Sequence, residues 1–201
     1  MFVPCWSSRT PQIPAPSHSG AHAHAPTMTT RILRRLDAHD RQLFVRWRLD
    51  ASATQVAVHA WTWLTRLGGL WCSLAAATLP LTATGLLHEA AERSLGTLVA
   101  SHLLVQLLKR SVGRPRPSRT ARCNPFTPEP DRFSFPSGHA AAAMSVAFGY
   151  AISFPTLAAP LLVVASAVGM SRVCLGVHYP GDVFAGQALA LLAGGIWAAV
   201  P

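Results

Sequence analysis

The chain has 201 residues, half of them apolar and 12% charged, with a formal net charge of +9. A soluble domain typically carries about 25% charged residues, so this composition argues against one and for a membrane protein with basic flanks. The 16 Arg and one Lys cluster at the N-terminus and in one loop between apolar runs, which argues against nucleic-acid binding.

Residues 1–27 are rich in Pro, Ser, Ala and His, with His18, His22 and His24 in alternation. Such a composition cannot bury a core and predicts a disordered extension, drawn here as residues 1–30. The histidine tract reads as low-complexity filler. Met28, ahead of Thr29, Thr30 and Arg31, reads as an alternative start, and no apolar stretch of a secretory signal follows Met1. Residues 31–50 hold six arginines interleaved with Leu33, Leu36, Leu43, Phe44 and Trp47, the pattern of an amphipathic helix on an anionic leaflet. Residues 53–68 are apolar but carry His59 and Arg66; they read as a short span or a second interfacial helix, with Trp61 and Trp63 suited to the headgroup region. Residues 31–68 thus form a basic interfacial region, and residues 69–201 the membrane domain.

Five firmer spans follow, at residues 70–87, 95–108, 140–154, 157–170 and 183–200. The expected fold is all-α, a polytopic bundle of five transmembrane helices, six if 53–68 crosses. Cys5, Cys72, Cys123 and Cys174 show neither a C-x-x-C pair nor zinc spacing, so no disulfide and no metal site is read.

The chemistry lies between the spans. The stretch KRSVGRPRP runs from Lys109 to Pro117, FPSGH from Phe135 to His139, and SRVCLGVHYPGD from Ser171 to Asp182. Lys109, Arg114 and Arg116 make a cationic run stiffened by two prolines, which lowers the entropy lost when cations converge on an anion. Lysine offers a point charge and arginine a planar fork to phosphate oxygens; Arg110, Arg119 and Arg122 read as solvated loop charge. Ser137 can cap a helix, and Gly138 lets backbone amides approach an anion. Arg172 near the end of an apolar run needs an anion or the interface. Asp182 stands four residues after His178, across a Tyr-Pro-Gly turn that can fold the carboxylate onto the imidazole. That contact fixes the tautomer and leaves the other ring nitrogen with its lone pair outward.

Lys109 to Pro117 is K-x6-R-P, Pro136 to His139 is P-S-G-H, and Ser171 to Asp182 is S-R-x5-H-x3-D. Together they resemble the three-part signature of the type 2 phosphatidate phosphatase superfamily, which also contains bacterial acid phosphatases and vanadium haloperoxidases. The resemblance covers residues 70–200. It implies that His178 attacks phosphorus to form a phosphohistidine, that Asp182 orients His178, and that His139 protonates the leaving oxygen and then activates water. It also implies that Lys109, Arg116, Ser137, Gly138 and Arg172 bind the phosphate oxygens. No cofactor and no divalent metal is expected, Asp182 being read as the one acid near the motifs. The implied substrate is a lipid phosphate or diphosphate: undecaprenyl diphosphate, phosphatidylglycerophosphate or phosphatidate. The alternatives are a vanadium-dependent haloperoxidase and a non-catalytic lipid-phosphate binder. The expected location is the inner membrane, multi-pass, with the site facing out of the cytoplasm; no oligomeric state follows.

Overall fold

The computed structural model describes residues 28–121 and 123–199, with side chains from Asp37 onward. Residues 1–27 of the expected extension, with the histidine tract and Cys5, and also Arg122, lie outside the described residues, whereas Met28, Thr29 and Thr30, expected to be disordered, are helical because α1 starts there. Regular structure among the described residues is helical: α1 (Met28–Trp47), α2 (Gln55–Arg66), α3 (Leu70–Thr78), α4 (Leu86–Val112), the short α5 (Pro117–Thr120), α6 (Gly138–Ser153), α7 (Ala158–Cys174) and α8 (Pro180–Ala199).

Helix α6 lies in the middle of a bundle with α4, α7 and α8. Its GHAAAAMSVAFG sequence explains this place, because small residues let helix backbones approach closely where lipid cannot drive association. A Cβ on Gly149 would overlap Ser94 of α4, and one on Gly186 of α8 would overlap the Ser137 carbonyl. Hydroxyls bond across the same seam, Ser101 to Ser145 at 2.8 Å and Ser94 to the Val146 carbonyl at 3.2 Å. The outer faces are apolar instead, with Leu103, Leu107, Val163, Phe184, Leu192 and Ile196 63–74% exposed. Small polar residues inside and large apolar ones outside suit a lipid surround, not water. Pro155–Cys174 and Pro180–Ala199 are each 20 residues long and apolar enough to cross a membrane.

Two expected spans differ from the structure. Residues 70–87 do not form one helix: α3 gives way to a 3-10 turn at Leu79–Thr82, and Gly85 takes a φ of 66° before α4 begins. Pro80 is the physical cause, since it lacks an amide hydrogen and crowds the preceding turn. The segment 95–108 is only the middle of the 27-residue α4, which also takes in Glu89, Glu92, Arg93 and Lys109. Those charges at the far end are accommodated by pairing, Arg93 reaching Glu89 at 3.1 Å and the Ser153 hydroxyl at 2.7 Å.

The interfacial region is helical, and it docks. Phe44 of α1 is buried, the Leu49 amide bonds the Cys174 carbonyl at 2.8 Å, and α2 packs on α7. At 12 residues, α2 is about 18 Å long, short of the hydrocarbon thickness.

Candidate active site

The chain order makes α4 and α7 end, and α6 and α8 begin, at one end of the bundle. Each boundary has a local cause. Gly113, at φ 61°, caps α4 in the left-handed conformation, and Pro115 and Pro117 then forbid helix through Arg116. Leu175 and Gly176 turn the chain after α7, Gly176 at φ 80°. Pro180 opens α8, where Asp182, in its first turn, accepts from the Tyr179 amide at 2.8 Å, half of a capping box. Two helix N-termini therefore meet, each with amides lacking an intrahelical acceptor and a positive dipole end.

Five of the expected side chains gather there. Lys109, Arg116, Arg172, His178 and Asp182 are all 0–5% exposed. Arg116 donates through Nε to the Asp131 carbonyl at 2.7 Å and through Nη1 to the Val177 carbonyl at 2.8 Å. Nη1 also stands 3.3 Å from His178 Nε2. Arg172 donates through Nη1 to Thr65 Oγ1 at 2.8 Å, while its buried Nε and Nη2 have no hydrogen-bond partner among the described residues. The Arg172 carbonyl accepts from the amides of Val177 and His178, at 3.1 and 3.2 Å, which sets the imidazole beside the guanidinium. His139, half-buried in the first turn of α6, lies within reach of the charges of Arg172, Arg116 and Lys109 and of the His178 ring.

His178 Nδ1 faces Asp182 Oδ2 at 3.6 Å, an ion-pair distance longer than a hydrogen bond. Oδ2 accepts instead from the Ser134 hydroxyl and the Tyr179 amide. With Asp182 on the Nδ1 side, the favoured tautomer carries its proton there and leaves the Nε2 lone pair toward Arg116. Burial pushes the His178 imidazole down to about 4, with Asp182 opposing and Arg116 and Arg172 reinforcing. The ring is neutral at physiological pH.

Several expectations need correction. Arg114, set in the cationic run with Lys109 and Arg116 but outside the expected phosphate-binding set, turns away from them: it reaches Asp182 Oδ1 at 2.6 Å, Asp40 Oδ2 at 2.8 Å and Asp37 Oδ1 at 2.8 Å. Ser137 occupies the cap position of α6, but its hydroxyl makes no capping bond and is buried without a partner among the described residues. Asp182 is not the one acid near the motifs, because Asp131 bonds Lys109 Nζ at 2.8 Å and Arg116 Nη2 at 3.0 Å. Burial raises the Asp131 carboxyl, yet Lys109 and Arg116 hold it below the usual carboxylate range. An acid in the loop joining two anion-binding motifs was a signal available for it. Thr65 and Asp40, on α2 and α1, had none.

The cluster offers three buried cations, two helix N-termini and a neutral imidazole backed by a carboxylate. That set can bind a tetrahedral oxyanion and attack its centre. Comparison with known proteins identifies the family. A family model described as PAP2 superfamily matches residues 93–201. The lipid A 1-phosphatase of Rhizobium etli is 39% identical over 97 residues, 46% of this chain and 42% of that protein. The decaprenylphosphoryl-5-phosphoribose phosphatase of Mycobacterium tuberculosis is 40% identical over 104 residues, 50% of this chain and 55% of that one. The chain thus spans about half the length of these relatives. A transmembrane PAP2-type phosphatidylglycerolphosphate phosphatase from Bacillus subtilis superposes with a TM-score of 0.66 at 25% identity, covering 83% of this chain and 88% of that one. Aquifex aeolicus LpxE shares the fold with a TM-score of 0.66 at 24% identity, over 77% of this chain and 92% of that one.

Proposed function

Because this chain belongs to the PAP2 superfamily, we propose that it is a membrane lipid phosphatase that passes a phosphoryl group from a lipid phosphate or diphosphate to His178 and then to water. The observation that carries the reading is the 3.3 Å contact of Arg116 Nη1 with His178 Nε2, beside the unpaired donors of Arg172. That contact supports a nucleophilic lone pair and phosphate-binding donors converging on one point.

Phosphate arriving there takes the Arg116 hydrogen from Nε2, freeing the lone pair, and fills the Arg172 donors. Lys109 and the first amides of α6, Gly138 among them, take further oxygens, with the Ser137 hydroxyl beside them. Nε2 attacks phosphorus as the bond to the leaving oxygen breaks, and that oxygen takes a proton from His139. Asp182 offsets the positive charge that grows on His178. His139 then removes a proton from water, whose oxygen displaces His178 and leaves as phosphate.

The relatives' printed activities share one chemistry, a phosphate on a membrane-anchored lipid, and only that is carried over. Undecaprenyl diphosphate, phosphatidylglycerophosphate and phosphatidate are the substrates to assay. We keep the five-span reading, with α4, α6, α7 and α8 crossing, α3 and its turn as the fifth apolar element, and residues 31–68 at the interface. If residues 53–68 stay at the interface, the basic N-terminus and the site share the cytoplasmic side; if they cross, the site faces out of the cytoplasm. A single cysteine at Arg119 in a cysteine-free background, labelled in intact cells, tests the side.

The decisive experiment is rapid-quench labelling of purified protein with a phosphate-labelled lipid, in EDTA. Acid-labile label on His178, absent from His178→Ala, is expected; label on His139, or label persisting in His178→Ala, reverses the roles.

A further inference from the structure

Helix α1 was expected to do no more than lie on the membrane, yet its inward face carries two acids at i, i+3 spacing, Asp37 and Asp40. Asp40 is keyed into the turn that bears the proposed nucleophile. Its Oδ1 accepts from the Gly181 amide at 2.7 Å, and its Oδ2 lies 2.8 Å from Arg114 Nη1. That same nitrogen stands 2.6 Å from Asp182 Oδ1. A Cβ at Gly181 would come within 2.9 Å of Asp40 Oδ2, so glycine is what admits the carboxylate there. The Arg114 guanidinium also lies over the Tyr179 ring, 4.2 Å from its centroid, and Phe44 of α1 packs on that ring edge-on at 5.2 Å. These groups are nearly closed to solvent: the side chains of Asp40, Arg114 and Asp182 are 14%, 17% and 0% exposed.

We infer that Asp40 is a positioning residue for the phosphoryl transfer, holding Arg114 and the Gly181 amide so that Asp182 keeps one oxygen turned to His178. The inference rests on the phosphohistidine reading above. Its logic is a division of charge. Arg114 is shared among Asp37, Asp40 and Asp182, so Asp182 retains negative charge for the imidazolium that attack creates. Without the Asp40 charge, Arg114 pairs more closely with Asp182 and draws the carboxylate from His178. The Gly181 amide, at the second position of α8, is left with at most a neutral acceptor in place of a charged one. No bond joins Asp40 to Lys109, Arg116 or Arg172 among the described residues, so the chemical step is affected and phosphate binding is not.

The test uses the full chain in detergent and reads single-turnover phosphoenzyme formation together with kcat and KM. Asp40→Asn is expected to slow phosphoenzyme formation by roughly tenfold to a hundredfold, the scale of a small misplacement in an active site. KM should stay within about twofold, the pattern of an interaction made in the transition state. Asp40→Glu, which keeps the charge, should recover most of the rate, and Asp50→Asn should match wild type. Labelling amplitude separates a folding defect, because misfolded protein lowers the labelled fraction and leaves the rate alone. A wild-type rate in Asp40→Asn, or a loss confined to amplitude, overturns the inference while His178→Ala is inert. An active His178→Ala protein overturns the phosphohistidine reading, and this inference with it.

Discussion

Lys109 Nζ donates to Asp131 Oδ2 at 2.8 Å, so the chain's single lysine meets a carboxylate where the motif leads one to expect phosphate. The other oxygen of Asp131 takes Arg116 Nη2 at 3.0 Å. Two of the three pocket cations therefore share an internal anion, which both holds them in register and competes with an incoming oxyanion.

Asp131→Asn keeps an acceptor and removes the charge. Competitive inhibition by inorganic phosphate should tighten by roughly twofold to fivefold, since the carboxylate is partly exposed and its influence screened. Inhibition that weakens in the variant would make Asp131 purely a scaffold for Lys109 and Arg116.

The buried cations should matter individually. Lys109→Ala, Arg116→Ala and Arg172→Ala are each expected to lose turnover by roughly a hundredfold or more, because each removes a donor to developing charge in a water-poor site. Arg119, exposed on α5, should tolerate alanine with near wild-type rates, and Arg122 is expected to behave likewise. Equal losses at all five positions would point to general loop electrostatics.

In His139→Ala acting on p-nitrophenyl phosphate, where no general acid is needed, the acid limb of kcat/KM should lie near pH 4, not near 6.5. His178 attacks only as neutral imidazole, and burial lowers its value to about 4, so the neutral form persists as pH falls until that point. Because kcat/KM reports the free enzyme, the substrate's own ionisation must be divided out first. A limb near 6.5 in that variant would mean a solvated nucleophile.

His139→Ala should depend on the leaving group. A poor alkoxide needs the proton, so lipid phosphate turnover falls severely; p-nitrophenolate needs little, so phosphoenzyme formation from p-nitrophenyl phosphate is largely spared. Hydrolysis of the phosphoenzyme still lacks its base, and labelled protein should accumulate. Equal loss of both labelling steps would remove His139 from acid–base chemistry.

The chemistry-bearing segments were legible because their signals are local. Gly113 with Pro115 and Pro117 ends α4 just after Lys109, Pro136 and Ser137 precede α6, and Pro180 opens α8, so each motif could be put at a helix end from neighbouring residues alone. Pro80 and Gly85 were equally local, and reading residues 70–87 by hydropathy passed over them. Apolar content measures affinity for lipid, whereas helix continuity depends on amide hydrogens and φ.

What the sequence determined by itself is the chemical inventory: three cations, two histidines and a carboxylate at helix ends, in an all-helical chain with apolar faces. The tertiary structure decided the pairing. Arg114 and Arg116 are two residues apart and alike in charge, yet one is shared among Asp182, Asp40 and Asp37 while the other faces His178. That choice depends on α1 and on the Asp131 loop, partners 77 and 15 residues away in sequence. Charge pairing at such separations is set by which helices close on one another, and hence by packing of Phe44, Tyr179 and the small residues of α6. No periodicity within a segment carries that information.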